Sequence, residues 1–343
     1  MHKVITFGIP SYNAAKDMDH CITSILEGSN YATDIEIIVV DDGSKDETAA
    51  KADEWEARYP GIIRAVHQEN GGHGIAVLSG LREAHGTYYK VVDSDDWLDG
   101  AALSTMLSIL RGFEERDQRV DLFISNYVYE KVYEGTHTAI GYKFALPRKK
   151  IFSWDQIGHF RPDQNLLMHS LCYRTDVLRE SNLPMPAHTF YVDNIYAYVP
   201  LPRCKTMYYV DIDLYRYFIG REGQSVNEAT MVKRLGQQFR VTRIMMESFH
   251  LYQDVESSRL RSYMMGYFTM MMAICSVLTK LSEEDCADER LKTLWKDLKE
   301  YDERMYRRAR YGVVGFFTNL HGRAGDKTTL GLYHLASKIF KFN

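Results

Sequence analysis

Short apolar, β-branched runs alternate with amphipathic stretches along the first two thirds of this chain. Residues 4–9, 35–40, 62–66, 87–92 and 120–127 read as strands; the most apolar of them match buried strands of a parallel sheet. Between them, 15–27 places Ile22, Ile25 and Leu26 on one helical face, and 45–59 follows Ser44 with Glu47 three residues on, a capping-box pattern. A Gly-rich loop at 70–74 opens a helix reaching Ala84, and 99–113 is a further helix. A hairpin is expected near 127–133 and 140–146, a helix from Asp193, and a Tyr-rich strand through 207–210 to 215–218. Beyond Ala229 proline disappears, and helical periodicity covers 229–251, 256–280, 283–310 and 330–340. The expected organisation is an α/β domain over 1–225 and a helical region over 226–343. Residues 262–279 carry no charge and are long enough to cross a membrane. Their Ser, Thr, Gly and aromatic residues among bulky Met predict instead a helix inside a bundle.

Two of the strand patterns end abruptly in acid. Asp41-Asp42-Gly43-Ser44 follows 35–40, and Asp93-Ser94-Asp95-Asp96 follows 88–92. Ligands of open α/β sheets bind in the crevice beyond the carboxyl ends of the strands, so both clusters are expected to share it. Three Asp in four residues repel one another unless a cation is bound. Hard oxygen ligands suit Mg or Mn, which can in turn hold a diphosphate.

These residues sit in a wider series. Pro10-Ser11-Tyr12-Asn13 ends the first strand, then come Val40-Asp41-Asp42-Gly43-Ser44, Asp46 and Thr48. Asn70-Gly71-Gly72, Gly80-Leu81, Ala84-x-Gly86 and Asp93-Ser94-Asp95-Asp96-Trp97 complete it. In this order and spacing the first 100 residues resemble the bacterial family 2 glycosyltransferases. The likeness fades through about residue 225. It implies the GT-A fold, a Rossmann-like mixed sheet flanked by helices. It also implies an inverting, metal-dependent transfer of a single sugar from a UDP-sugar to a hydroxyl acceptor, in surface glycan or glycoconjugate synthesis.

The same resemblance implies roles residue by residue. Pro10 and Tyr12 flank the base and Asp42 accepts the uracil imide proton, which needs an ionised acceptor facing an N–H; both Asp are otherwise helix caps. Asp93, Ser94 and Asp95 hold ribose and diphosphate, with Asp95 as ligand of Mn or Mg. Trp97 lines the acceptor side or fills the core. His73, in the Gly-rich loop, is placed to touch donor phosphate or sugar in this reading. Asp193, in Phe190-Tyr191-Val192-Asp193-Asn194, takes the place of the general base. It is also an ordinary start to a helix. Arg221, with Arg216 and Ser225, corresponds to a segment that covers the diphosphate. Val77 and Leu78 stand where many family members carry Arg-Asn, and Val192 replaces the Glu often found before the base. A processive synthase is not expected, because Gln237-x-x-Arg240-Val241 lacks the Trp of that motif.

Composition narrows the alternatives. A net charge of −4 offers no general case for nucleic acid, and 45% hydrophobic residues can build a core. Five scattered cysteines without metal-ligand spacing suit a reducing compartment, and Met1-His2-Lys3 runs straight into a strand without a signal-peptide pattern. A cytoplasmic protein is expected. From Lys296 to Lys341 basic residues outnumber acids and alternate with Tyr311, Phe316, Phe317, Phe340 and Phe342. Such a tail is either a solvated helical surface or a peripheral contact with an anionic membrane leaflet, here the inner face of the plasma membrane. The Met-rich region offers a homodimer surface. Two rival readings remain: a sugar nucleotidyltransferase, against which residues 8–20 lack a Gly-rich loop with Arg and Lys, and a silent sugar- or partner-binding module. The acceptor, whether glycan, lipid-linked sugar or protein, is written in no motif.

Overall fold

The structure, a computed structural model, describes residues 2–161, 164–220 and 227–340, the last five as backbone only. They form two units. The first comprises residues 2–159 and 166–220, the second 160–161, 164–165 and 227–340.

In the first unit the chain runs β1 (Lys3–Ser11), α1 (Met18–Gly28), β2 (Ile35–Asp41), α2 (Thr48–Arg58), β3 (Ile63–His67), α3 (His73–Glu83), β4 (Gly86–Val91) and β5 (Trp97–Leu98). It continues through α4 (Gly100–Glu115), β6 (Leu122–Lys131), β7 (Thr136–Ile140), β8 (Ile151–Phe152), β9 (Leu171–Arg174), α5 (Thr175–Glu180), α6 (Asp193–Tyr198) and β10 (Met207–Phe218). The sheet order is β3-β2-β1-β4-β9-β6-β10-β5, with β7 beside β6 and β8 beside β10. β1 to β4 are mutually parallel, whereas β9 lies antiparallel between β4 and β6. This is the mixed sheet of the GT-A fold. β2 is buried at every position, as its continuous apolar run requires.

Close approach explains two glycines of the sequence series. The Tyr89 ring stands on β4 between Gly8 and Gly80, and its hydroxyl donates to Val77 O at 3.1 Å. A Cβ on Gly80 would lie 2.6 Å from that hydroxyl and 3.7 Å from the ring carbon bearing it. Gly80→Ala should therefore destabilise the wild type by about 1–3 kcal/mol. In a Tyr89→Phe background, where the hydroxyl is gone, helix propensity should take over, making the same change neutral or stabilising by up to about 1 kcal/mol. Urea melts of the four proteins measure this; equal destabilisation in both backgrounds would refute the packing explanation.

The expected capping box of Ser44 and Glu47 is not formed. Ser44 Oγ instead accepts from Asn13 N–H at 3.0 Å, and α2 starts later, at Thr48, whose N–H donates to Asp46 Oδ1. A tertiary partner outcompetes the local cap. The hairpin is also displaced, since β6 extends to Lys131 and pairs with 136–140, leaving 141–146 outside the sheet.

The second unit is helical: α7 (Glu228–Lys233), α8 (Leu235–Glu247), α9 (Leu251–Asp254), α10 (Ser258–Leu281), α11 (Ala287–Tyr301), α12 (Glu303–Tyr311), α13 (Val313–Thr318) and α14 (Gly322–Phe340). The break between α11 and α12 falls at Asp302, whose carboxylate accepts from Met305 N–H and caps α12. Among the described residues α10 is the one helix long and apolar enough to cross a membrane. Met264, Phe268, Met272 and Cys275 recur on its buried face, and α8 and α11 to α14 pack around it. That is the environment of a bundle core.

Candidate active site

The first loop and the Asp-Asp turn are zipped together by hydrogen bonds. Asn13, at φ +52°, receives Lys45 N–H on its side chain, Ala14 N–H donates to Thr48 Oγ1 at 2.7 Å, and Ala15 N–H to Asp46. These bonds hold Tyr12 at the crevice with half of its surface exposed, while Pro10 is buried at the end of β1. An exposed ring on a fixed loop is the element a base could stack on.

Asp42 is buried and points at the Gly-rich loop. Its Oδ1 accepts from Gly71 N–H at 2.8 Å and the Gln68 amide at 2.6 Å, and its Oδ2 accepts from Gly72 N–H at 2.7 Å. Gly72 itself has φ +87°, and a Cβ there would meet the His188 backbone at 2.9 Å. Asp42 thus shapes the loop that delivers His73; a ligand N–H reaching Asp42 must share it with these donors.

The loop delivers His73 to the start of α3, where its Nε2 lies 2.8 Å from Asp93 Oδ1. Burial opposes a charge on His73, but Asp93, Asp193 and Asp42 outweigh it and raise its pKa. Burial likewise works against an ionised Asp93, yet His73, with help from His169 and Tyr215, holds its carboxyl below the usual range.

Asp93 and Asp96 are the ends of a tight turn closed by Asp96 N–H to Asp93 O at 3.0 Å. The turn sends Asp96 back into the core, where Tyr215 Oη donates to its Oδ2 at 2.6 Å and Phe218 N–H to its Oδ1 at 2.9 Å. Burial, then the neighbouring Asp93, pushes the Asp96 carboxyl far above its ordinary pKa. The imidazole of His169 stacks 4.6 Å from the Tyr215 ring and 4.5 Å from Tyr217. Burial drives its pKa down to about 4, so it is neutral at physiological pH. Its Nδ1 is buried with no hydrogen-bond partner. Asp93, Asp96 and His169 bring ligand atoms within 4.8 Å of one another. The Asp93 carboxylate, the neutral His169 imidazole with its orphaned nitrogen, and the Asp96 carboxyl once a cation displaces its proton would suit a divalent ion such as Mn. The metal-capable group therefore differs from the expected single ligand Asp95, which sits half-buried within the turn. Tyr215 Oη and Phe218 N–H hold the Asp96 carboxyl inward, where it joins Asp93 and His169.

Asp193 enters from a different part of the chain. The His188 N–H donates to Gly71 O at 2.7 Å, and Gly74 admits Met185 and Val192 so closely that a Cβ there would lie 3.1 Å from each. This seats 185–194 against the Gly-rich loop. His188 and Tyr191 both take left-handed φ values, +49° and +67°, where non-Gly residues are strained. Asp193 opens α6, and its carboxyl pKa is raised by burial and by Asp93, with His73 opposing.

Residues 6–167, just under half of the chain, match the model of Glycosyl transferase family 2. Within the glycosyltransferase fold, two solved structures are similar over nearly the whole chain. Staphylococcus aureus TarS 1–349, in complex with UDP-GlcNAc, superposes with a TM-score of 0.66 at 14% identity, covering 96% of this chain and 92% of that one. The mannosyltransferase PcManGT of Pyrobaculum calidifontis, in complex with GDP-Man and Mn²⁺, gives 0.52 at 15% identity over 93% and 88%. By sequence, the uncharacterized glycosyltransferase EpsJ of Bacillus subtilis is 37% identical over 101 residues, 29% of this chain. The match spans only 28% of EpsJ.

Of the expected site residues of the glycosyltransferase region, the structure gathers Tyr12, Asp42, Asp93, Ser94, Asp95 and Asp193 at the carboxyl edge of β1, β2 and β4 or on segments bound to it. Trp97, in β5, is half-buried with its ring against His20 and Phe218. Arg216 does not sit on a covering segment. It is fixed in β10 by Glu130 at 2.9 Å and Asp99 at 3.0 Å. Arg221 and Ser225 lie outside the described residues. His169 went unread in the sequence. A lone His after Leu166-Leu167-Met168 carries no spacing signal, and only the antiparallel insertion of β9 beside β4 brings it under Asp93.

Proposed function

We propose that this chain is an inverting glycosyltransferase that moves one sugar from a UDP-sugar to a hydroxyl acceptor in glycan or glycoconjugate synthesis. The observation that carries the proposal is the convergence of Asp193 and Asp93 on His73. Asp93 lies 2.8 Å from His73 Nε2, the charge of Asp193 also acts on His73, and the Asp193 carboxyl pKa is raised. A raised pKa is what a general base near neutral pH needs. Tyr12 would stack on the uracil, and the loop shaped by Asp42 would line the donor. The acceptor hydroxyl gives its proton to Asp193 as its oxygen bonds to the anomeric carbon from the face opposite the departing UDP. The bond from that carbon to the diphosphate oxygen breaks with its electron pair leaving on UDP. Asp93, Asp96 and His169 would hold Mn or Mg, which when bound supplies Lewis-acid stabilisation of the leaving diphosphate. The five unpaired cysteines suit a cytoplasmic setting.

The test is donor hydrolysis by the purified chain over a panel of UDP-, GDP- and dTDP-sugars, with and without Mn. Slow release of one nucleoside diphosphate that requires Mn is expected, with a UDP-sugar preferred. Neither release nor metal-dependent nucleotide binding across the panel would bring the silent-module reading forward. Release from a GDP-sugar alone would retain the transferase and correct the donor.

A further inference from the structure

In the second unit, α13 is built against the usual rule of burial. Of its six residues, the buried one is Gly315, while Val313 is 75% exposed, Phe316 54% and Phe317 42%. The inversion is built in. A Cβ on Gly315 would collide with Ala309 O, so only glycine allows α13 to lie this close to the end of α12, and the bulky residues are turned outward. The arrangement is also anchored. Asn319 donates from Nδ2 to Gly315 O at 2.8 Å and accepts from Ser276 on α10, and Thr329 on α14 donates to Phe317 O at 2.8 Å. Lys280 binds Leu320 O and Asp326. The exposed side chains therefore stand on a fixed platform, joined by Tyr311 before them and by Leu332 and Leu335 on α14. Large apolar side chains held exposed on a fixed platform mark an interaction site.

The surrounding charge identifies the partner. Residues 304–335 contain six basic residues (Arg304, Arg307, Arg308, Arg310, Arg323 and Lys327) and one acid, Asp326, which Lys280 already binds. Arg304 and Arg310 lie over the rings of Tyr252 and Trp295, and Arg307 pairs with Glu303. Arg308, Arg323 and Lys327 are exposed on α12 and α14. Aromatic and aliphatic side chains ringed by cations match a bilayer surface whose headgroups are anionic: the apolar tips enter the acyl boundary and the cations meet the phosphates. We infer that α12 to α14 form a docking surface for an anionic phospholipid membrane, with Phe316 and Phe317 as the inserted wedge. This inference is independent of the proposed transferase chemistry.

The experiment is co-sedimentation of the full chain with vesicles of pure phosphatidylcholine and of phosphatidylcholine with 30–40% (roughly, to give a strongly anionic surface) phosphatidylglycerol. Binding to the anionic vesicles, weakened by salt and about tenfold or more stronger than to neutral ones, is expected. Phe316→Ser/Phe317→Ser and, separately, Arg308→Glu/Arg323→Glu/Lys327→Glu should each lower it by about tenfold or more. Thermal melts check that both variants fold, and two surface variants of opposite chemistry guard against a single misfolded one. Absence of vesicle binding, equal binding to neutral vesicles, or binding that survives both variants overturns the inference. So does sedimentation velocity showing a dimer that only the Phe variant dissociates, with no vesicle binding; the patch would then meet a second copy of the chain. Donor hydrolysis by the same variants should match the wild type, so a failure of the transferase reading is seen separately.

Discussion

Asp193→Asn should reduce turnover by about three orders of magnitude while leaving donor binding nearly unchanged, because loss of a positioned general base removes about 10²–10⁴ in rate and no donor contact. Asn keeps the shape of the side chain, and Val192 rather than Asp193 occupies the N-cap of α6, so a merely structural role predicts a small effect on rate. Stability should move little, or rise, since a buried carboxyl becomes neutral. The pH profile adds a second, independent readout. Burial and Asp93 raise the Asp193 pKa, so the carboxyl stays protonated, and unable to accept a proton, at pH values where a free Asp is already ionised. Activity should therefore rise with pH along a limb displaced upward from the ordinary carboxylate range, and that limb should vanish in Asp193→Asn. An unchanged limb in the variant would assign it to another group and remove Asp193 from the mechanism.

The second large effect concerns the cation. His169→Gln and Asp96→Asn should each weaken Mn-dependent UDP binding by at least about tenfold, the scale expected even for supporting residues of a metal site. In the absence of metal, UDP binding by these variants should equal that of the wild type. Asp95→Asn is the informative comparison. If it abolishes the Mn effect while Asp96→Asn and His169→Gln retain it, the cation sits on the middle acid of the turn, as the Asp-x-Asp spacing alone implies. Isothermal titration of UDP with and without Mn separates the two arrangements. Removing Mn from the wild type by chelation should give the same loss as the ligand variants, and refilling should restore it.

Much of the candidate donor site's framework was legible because its signals are local and chemical. An apolar β-branched run has few alternatives to a buried strand, and acid placed directly after it must lie at the strand's carboxyl end. The residues 10–13, 41–48 and 70–74 are bound to one another by the backbone and side-chain hydrogen bonds of Asn13, Asp42, Ser44 and Thr48. Their spacing in the sequence records that mutual fit, which is why they could be read together. Tyr89 leaves its mark in the same way, as glycine at positions 8 and 80.

What the chain alone could not reveal depends on contacts between distant segments. Ser44 and Glu47 spell a capping box, but Asn13 takes the Ser44 hydroxyl once β1 and β2 pair, and a tertiary hydrogen bond displaces a local one of similar strength. His169 has no local signature, and its place beneath Asp93 follows from β9 running antiparallel between β4 and β6, a pairing that no periodicity encodes. That the Asp96 carboxyl joins Asp93 depends on Tyr215 Oη from β10, more than a hundred residues away. In the helical unit, periodicity located the helices, yet the outward turn of Phe316 and Phe317 arises because Gly315 alone fits against Ala309 O. The sequence by itself determined the parallel strands β1 to β4 and the acids at their ends, and the resemblance those motifs carry implied the family of chemistry. Tertiary structure decided which side chains meet, because side-chain encounters across the fold depend on strand order and close packing that local pattern does not contain.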